Sequence, residues 1–452
     1  MQRSYDAVDS IAGAHRLLSE RAISPSELVE EHARRIVERE PTIKAWAHLG
    51  LEAAREQARA LDAKLGAMTT LPPLFGIPFG AKDIFHTRQL PTEAGSRVLE
   101  GFQPDANASV IDKLEEQGAI LLGKTTTTEF AHMGGPPKTV NPWRHTHTPG
   151  GSSSGSAASV ASSMAMFALG TQTAGSLSRP AAYNGLTVLK GSFGRVSKAG
   201  VIPGSWTLDH IGGLTHSVED SVMLYNAISG PDPADEYTWS LPYQALAVRT
   251  RRNYTVGVVD HPYFASVSED VQAGVENALR VFEEAGIRVV RVRLPEGFEA
   301  LAAAHAVVMQ SEMSAYHADW HAQVPDLYTP EVRAYLADGM GLKATDYLRA
   351  QRIRAQYRVS FAEVFGDVDA LVTPAAPTAA PHGLLSTGSP VFNLPFTNLG
   401  VPTLVMPVGF DSTGALPVGM QLVAADAQEQ ALVDIGLLYQ SETDWHQRRP
   451  AL

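Results

Sequence analysis

The chain has 452 residues, 44% hydrophobic and 19% charged, with a net charge of −12 and no cysteine. That length suits one large α/β unit or two joined domains, and the apolar fraction is ample for a sizeable core. The acidic balance argues against nucleic acid and anionic membranes as partners, and the missing cysteines exclude disulfides, thiol nucleophiles, cysteine–zinc sites and iron–sulfur clusters.

The N-terminus lacks an apolar leader and no apolar run approaches 18 residues, so a cytoplasmic protein is expected. Residues 6–38 predict two helices, with Ser24-Pro25-Ser26-Glu27 as a helix start. A third helix is expected near 51–65. Residues 74–85 read as a strand with Lys82 at or near its end. A lone lysine beside apolar residues is ordinarily a surface group whose amine reaches water. Residues 109–117 predict a helix and 119–124 a buried strand, a helix–strand unit of a largely parallel sheet. Residues 131–150 are a Gly/Pro/His-rich loop.

Residues 149–180 stand apart. Two hydroxyl-rich clusters, Gly150-Gly151-Ser152-Ser153-Ser154-Gly155-Ser156 and Thr171-Gln172-Thr173-Ala174-Gly175-Ser176, flank an Ala/Met/Phe stretch that must be buried. Flexible linkers do not flank a core segment so tightly, so the pair reads as one site where N–H groups and hydroxyls converge. Short strands and turns are expected at 186–190 and 194–202, and a helix at 217–229. Strand 253–259, helix 268–285 and strand 289–293 form one crossover unit. Residues 298–365 read as amphipathic helices capping the site. Strands follow at 369–374, 403–408 and 420–423, then a last helix at 427–440. The alternation predicts an α/β fold, a mixed central β-sheet covered on both faces by helices. We expect one domain, 1–452, with 70–215 as catalytic core and about 298–345 as a variable helical cap.

Several chemistries fit poorly. Gly151-Ser152-Ser153-Ser154-Gly155 has the form G-x-S-x-G, but a nucleophile elbow needs a strand directly before it, and residues 141–149 read as loop. His145 and His147 lie two apart on a loop, with no obvious carboxylate nearby in sequence, a weak metal signal. No P-loop or dinucleotide fingerprint is present, so no cofactor and no metal are expected. What remains is a serine nucleophile with no histidine. A buried lysine can be its base if desolvation leaves the amine neutral, and a Gly-rich turn of N–H groups can bind an oxyanion. Lys82 and the turn Thr173-Ala174-Gly175-Ser176 offer both.

These residues lie in a longer pattern: Gly76-Ile77-Pro78 to Lys82-Asp83, Gly123-Lys124, Asn141-Pro142-Trp143, Gly150-Gly151-Ser152-Ser153, Gly170-Thr171, Gly175-Ser176, Arg179-Pro180-Ala181, Leu208-Asp209, Ile211-Gly212 and Pro417-Val418-Gly419-Met420-Gln421. In this the sequence resembles the amidase signature family over nearly its whole length. The resemblance implies a Ser–cisSer–Lys triad of Ser176 (nucleophile), Ser152 (bridging, on a cis peptide) and Lys82 (base). It implies an oxyanion hole from the N–H groups of Thr173, Ala174, Gly175 and Ser176. Ser154, Gln172 and Ala174 depart from the common pattern without removing a triad member. Arg179, three residues after Ser176, is a candidate for a substrate carboxylate, as in some short members with that spacing; the competing reading pairs it internally with an acid. Met133, Ser153 and Trp206 complete the candidate substrate contacts. Asp83 and Asp209 read as structural, and Asn393 and Asn398 as turn residues. Specificity is expected in residues 131–148, 203–210 and 298–345.

The implied activity is hydrolysis of a small or aryl amide, with aryl carbamates and esters chemically adjacent. Partners are the small-molecule substrate and water, with no nucleic acid and no membrane; a homodimer is the candidate assembly. One alternative is the A-type subunit of a glutamine amidotransferase, disfavoured by the short chain and the Thr171–Ser176 variant. Another, of a different class, is a non-catalytic binding protein on this fold.

Overall fold

A computed structural model describes residues 9–132, 134–238, 243–249, 251 and 253–452. Eleven strands among these residues form one mixed sheet. They are β1 (Trp46–Leu49), β2 (Pro78–Lys82), β3 (Ile120–Thr125), β4 (Phe167–Gln172), β5 (Thr187–Lys190), β6 (His210–Thr215), β7 (Thr255–Val259), β8 (Arg288–Val292), β9 (Ala370–Pro374), β10 (Thr403–Phe410) and β11 (Pro417–Val423). Their spatial order is β1-β3-β2-β4-β6-β5-β10-β11-β9-β7-β8. β3, β2 and β4 run parallel, as do β9, β7 and β8, and the strands between them pair antiparallel.

Every residue of β2, β3, β4, β5, β6 and β11 is buried. Successive side chains point to opposite faces, so unbroken burial means both faces are covered. The edges differ: β1 and β8 each carry exposed residues. Phe79 and Phe167, register partners on β2 and β4, stack with centroids 5.1 Å apart.

Local signals explain much of this. Ser24 opens helix Pro25–Ile43 with a capping box: its hydroxyl accepts from Glu27 N–H, and the Glu27 carboxylate accepts from Ser24 N–H. The helix expected at 51–65 spans Leu51–Leu65. The crossover unit is present, with β7 and β8 parallel neighbours joined by helix Glu269–Glu284. The expected cap is three helices, Ala300–Gln323, Pro330–Met340 and Ala344–Ala362. Residues 194–202, expected to hold short strands, form only isolated bridges, Val196 with Ser229 and Val201 with Phe85.

β6 lies between β4 and β5 yet escaped the sequence reading. It carries Gly212 and Gly213, which weaken a strand signal. The structure shows why they are there. A Cβ on Gly213 would sit 2.1 Å from Leu224 Cδ2, and one on Gly212 2.8 Å from Leu177 Cδ1. Helix Val218–Ile228 therefore presses onto the strand at backbone distance.

Candidate active site

β2 and β4 are parallel neighbours, so their carboxyl ends lie together, where open α/β sheets place ligands. Lys82 is the last residue of β2 and is fully buried. Its Nζ donates to Ser152 Oγ at 2.7 Å and to Thr171 Oγ1, near the end of β4, at 2.8 Å. No carboxylate lies within 4 Å of it among the described residues. Burial lowers its pKa from 10.5 to about 7, only partly opposed by the charge of Asp209. The amine is thus available as a proton acceptor near neutrality.

Ser152 is held by the turn before helix Ser154–Ala161, and the Gly151–Ser152 peptide is cis. This helix is anchored at backbone range: Gly155 N–H donates to Thr126 O at 3.0 Å, and Ser156 Oγ to Leu169 O at 2.9 Å. Ser153 braces β4, with its hydroxyl 3.4 Å from both the N–H and the carbonyl oxygen of Thr171. Ser154 Oγ donates to Gly150 O.

Beyond β4 the chain makes the turn 173–176 before helix Ser178–Asn184. None of the N–H groups of Thr173, Ala174, Gly175 and Ser176 donates to an acceptor among the described residues. Two of their carbonyls, by contrast, are pinned. Thr397 Oγ1 donates to Ala174 O at 2.8 Å, and Arg179 N–H to Gly175 O at 3.0 Å. A trans peptide sets C=O and N–H on opposite sides, so these contacts turn the Gly175 and Ser176 N–H groups the other way. Gln172 supports the turn. Its side-chain carbonyl accepts from Leu177 and Ser178 N–H at 2.9 and 2.8 Å, and its amide donates to Thr397 at 2.9 Å. Asp209 accepts from Thr173 Oγ1 at 2.5 Å and from the N–H groups of Gly204 and Ser205.

Ser152, the whole turn 173–176 and Arg179 line one cavity of about 170 Å³. The structure joins Lys82 to Ser152 and brings Ser152 and Ser176 to the same cavity, without a hydrogen bond between the two serines. Arg179 is buried, and its guanidinium donates to Gly151 O at 2.5 Å, Gly388 O at 3.0 Å and Thr387 Oγ1 at 3.0 Å. Among the described residues it has no acid partner of the kind the competing sequence reading expected: all three acceptors are neutral. Burial lowers the Arg179 pKa to about 10, which leaves it charged at neutral pH. Trp206 lines a different cavity, of about 190 Å³, with Lys198, Asp209 and Tyr237. Met133 lies outside the described residues.

The remaining walls were not legible residue by residue. His132, His305, Met309 and Tyr335 come from segments expected to carry specificity, whereas Thr387 and Pro390, and Leu394 at the start of helix Leu394–Leu399, come from a stretch where the sequence singles out only Asn393 and Asn398, as turn residues. Phe130 and Ala131, just before His132, adopt φ of 47° and 58°, a strained choice for residues with a Cβ. Phe130 is held there by ring contacts with His317, Trp320 and Tyr328.

Among the described residues, one group has the makings of a metal site, His48, Asp83 and Glu93. The Lys124 ammonium lies 3.0 Å from Asp83, so a cation already occupies that charge. No described helix is long and apolar enough to cross a membrane.

The amidase family profile matches residues 27–433. The chain belongs to the amidase family. The A-type subunit of the glutamyl-tRNA(Gln) amidotransferase from Chloroflexus aggregans is 37% identical, over 98% of each chain. Among solved structures, a component of a vestigial complex bearing on the origins of an s-triazine catabolic enzyme superposes with a TM-score of 0.90 at 29% identity, covering 96% of this chain and 98% of that one. A peptide amidase bound to the competitive inhibitor chymostatin superposes at 0.88 with 26% identity, over 98% and 99%. As an amidase-family member the protein is a hydrolase of carbon–nitrogen bonds, on the mixed α/β sheet expected for that family.

Proposed function

We propose that the protein hydrolyses the amide bond of a small, carboxylate-bearing substrate with Ser176 as nucleophile. One observation carries the chemistry: a buried lysine with its pKa near 7 bonds Ser152 at the rim of the cavity that holds Ser176 and four undonated N–H groups. Ser176 Oγ attacks the carbonyl carbon and its proton passes to Ser152, whose own proton passes to Lys82. The oxyanion is met by the N–H groups of the 173–176 turn. Collapse breaks the C–N bond, and the amine leaves with the proton returned through Ser152. Water then hydrolyses the acyl-enzyme by the same relay. Aryl carbamates and esters present the same carbonyl to the same nucleophile.

The charge of the cavity supports the substrate class. Arg179 is its one permanently charged lining residue among those described, no carboxylate lines it, and its guanidinium has only neutral partners. An anionic ligand offsets a buried, unpaired cation. A second reading, the A-type component of an amidotransferase, is favoured by the full-length similarity to such proteins. Glutamine would bring an ammonium with no acidic partner in this cavity, so the free-standing hydrolase remains the first reading.

The test combines fluorophosphonate labelling with a hydrolysis screen of succinamate, propionamide, anilides, aryl carbamates and glutamine. Ser176 should take the label, Ser176→Ala should lose hydrolysis, and succinamate should outperform propionamide. An unlabelled Ser176, with Ser176→Ala as active as the parent, removes the nucleophile assignment. Indifference to the carboxylate removes the role of Arg179, and glutaminase activity in a co-purifying complex decides for the second reading.

A further inference from the structure

Glu312 belongs to cap helix Ala300–Gln323, seven residues after His305 and three after Met309. That spacing puts the three on one helix face. His305 and Met309 are walls of the Ser176 cavity, while Glu312 reaches elsewhere. Its carboxylate is buried, with no Lys, Arg or His nitrogen within 4 Å among the described residues. Neutral donors satisfy it: Ser205 Oγ at 2.5 Å, Thr207 N–H at 3.0 Å, Thr207 Oγ1 at 2.7 Å, Tyr347 OH at 2.8 Å and, more distantly, the Gln351 side-chain amide at 3.5 Å. Arg354, from the last cap helix, grips the same loop through Thr207 O at 3.0 Å and Thr207 Oγ1 at 3.1 Å.

The loop does not end there. Ser205, which donates its hydroxyl to Glu312, donates its N–H to Asp209 at 3.0 Å. Asp209 in turn accepts from Thr173 Oγ1 at 2.5 Å, and Thr173 opens the turn of undonated N–H groups. Two buried carboxylates thus bracket the 204–209 loop, one carried by the cap and one touching the oxyanion turn. A buried carboxylate met only by directed hydrogen bonds has few alternative geometries that satisfy it.

We propose that Glu312 is a positioning residue for the oxyanion turn, acting through Ser205, Thr207 and Asp209 on Thr173. Its helix also forms a wall of the Ser176 cavity through His305 and Met309, so one rigid element sets both pocket shape and oxyanion geometry. Seating of the cap against a fitting substrate and readiness of the turn are thereby coupled. The inference rests on the amidase reading of Ser176.

The experiment is a double-mutant cycle on amide hydrolysis with Glu312→Gln and Thr173→Val. Glu312→Gln should lower kcat about tenfold or more while KM moves about twofold or less, because the turn acts on the transition state. The double variant should be no slower than the slower single variant by more than about twofold, since both lesions break one chain of contacts. Affinity for a boronic acid, which mimics the tetrahedral intermediate, should fall by the factor seen in kcat, with affinity for the product carboxylate unchanged. A merely structural role would lower Tm without that split. If Glu312→Gln does not fold, Ser205→Ala and Thr207→Val each remove one link and enter the same cycle. Multiplying effects, or a loss confined to KM, overturn the coupling while leaving the hydrolase reading intact. A parent protein that neither hydrolyses amides nor labels at Ser176 overturns both.

Discussion

Replacing Lys82 by methionine separates chemistry from stability, because the two move in opposite directions. Burial holds the amine at a pKa of about 7 against 10.5 in the unfolded chain. At roughly 1.4 kcal/mol per tenfold change, keeping the ammonium buried below pH 7 costs about 5 kcal/mol. The unfolded chain binds the proton between pH 7 and 10.5 and the folded chain does not, so wild-type stability rises with pH across that window. Lys82→Met removes the penalty together with the bonds to Ser152 and Thr171, worth about 1 kcal/mol each. The variant should be about 3 kcal/mol more stable than wild type at pH 6 and about 1 kcal/mol less stable at pH 10. Urea unfolding of both proteins at the two pH values reads this directly, and titrations elsewhere cancel in the difference. Turnover should fall by about 10³-fold or more, because the base bonded to Ser152 is gone. The wild-type kcat/KM should rise with unit slope to a plateau above about pH 7. A stability difference that does not change with pH, or a variant that keeps its activity, would refute the picture of a desolvated neutral lysine.

Gln172→Leu removes the acceptor for the buried N–H groups of Leu177 and Ser178, and should cost about 2–4 kcal/mol in urea unfolding, with a fall in kcat; a loss below about 1 kcal/mol contradicts the bracing role. Gly155→Ala would place a Cβ 2.1 Å from Ala45 O and 2.4 Å from Thr126 N, both backbone. It should destabilise by about 3 kcal/mol or more. Gly66→Ala, with nothing within 4 Å of the added Cβ, should stay within about 0.5 kcal/mol of wild type, and equal effects at the two sites would refute the close-approach argument.

What the chain announced by itself were features with short-range causes. The capping box at Ser24–Glu27, the helix periodicity of 51–65 and the crossover unit around 269–284 are settled within a few turns of backbone. The two hydroxyl-rich turns stood out because they flank a segment that must be buried, and Lys82 because a serine nucleophile without a histidine needs another base, whereas the roles of Ser152 and Ser176 followed from the resemblance to the amidase signature family. Tertiary structure decided what depends on distant neighbours. The Lys82 amine is near neutral because residues from several strands and loops exclude water from it, and no local pattern encodes desolvation. Arg179 has neutral partners, two of them some 210 residues away at Thr387 and Gly388, which sequence spacing could not foresee. Trp206 shares a motif-rich neighbourhood with Asp209 yet faces another cavity. β6 hid behind the glycines that let Leu224 and Leu177 close on it. Local propensity reads the elements and the reactive groups, whereas solvation, charge pairing and pocket walls belong to long-range packing, which exists only once the sheet has assembled.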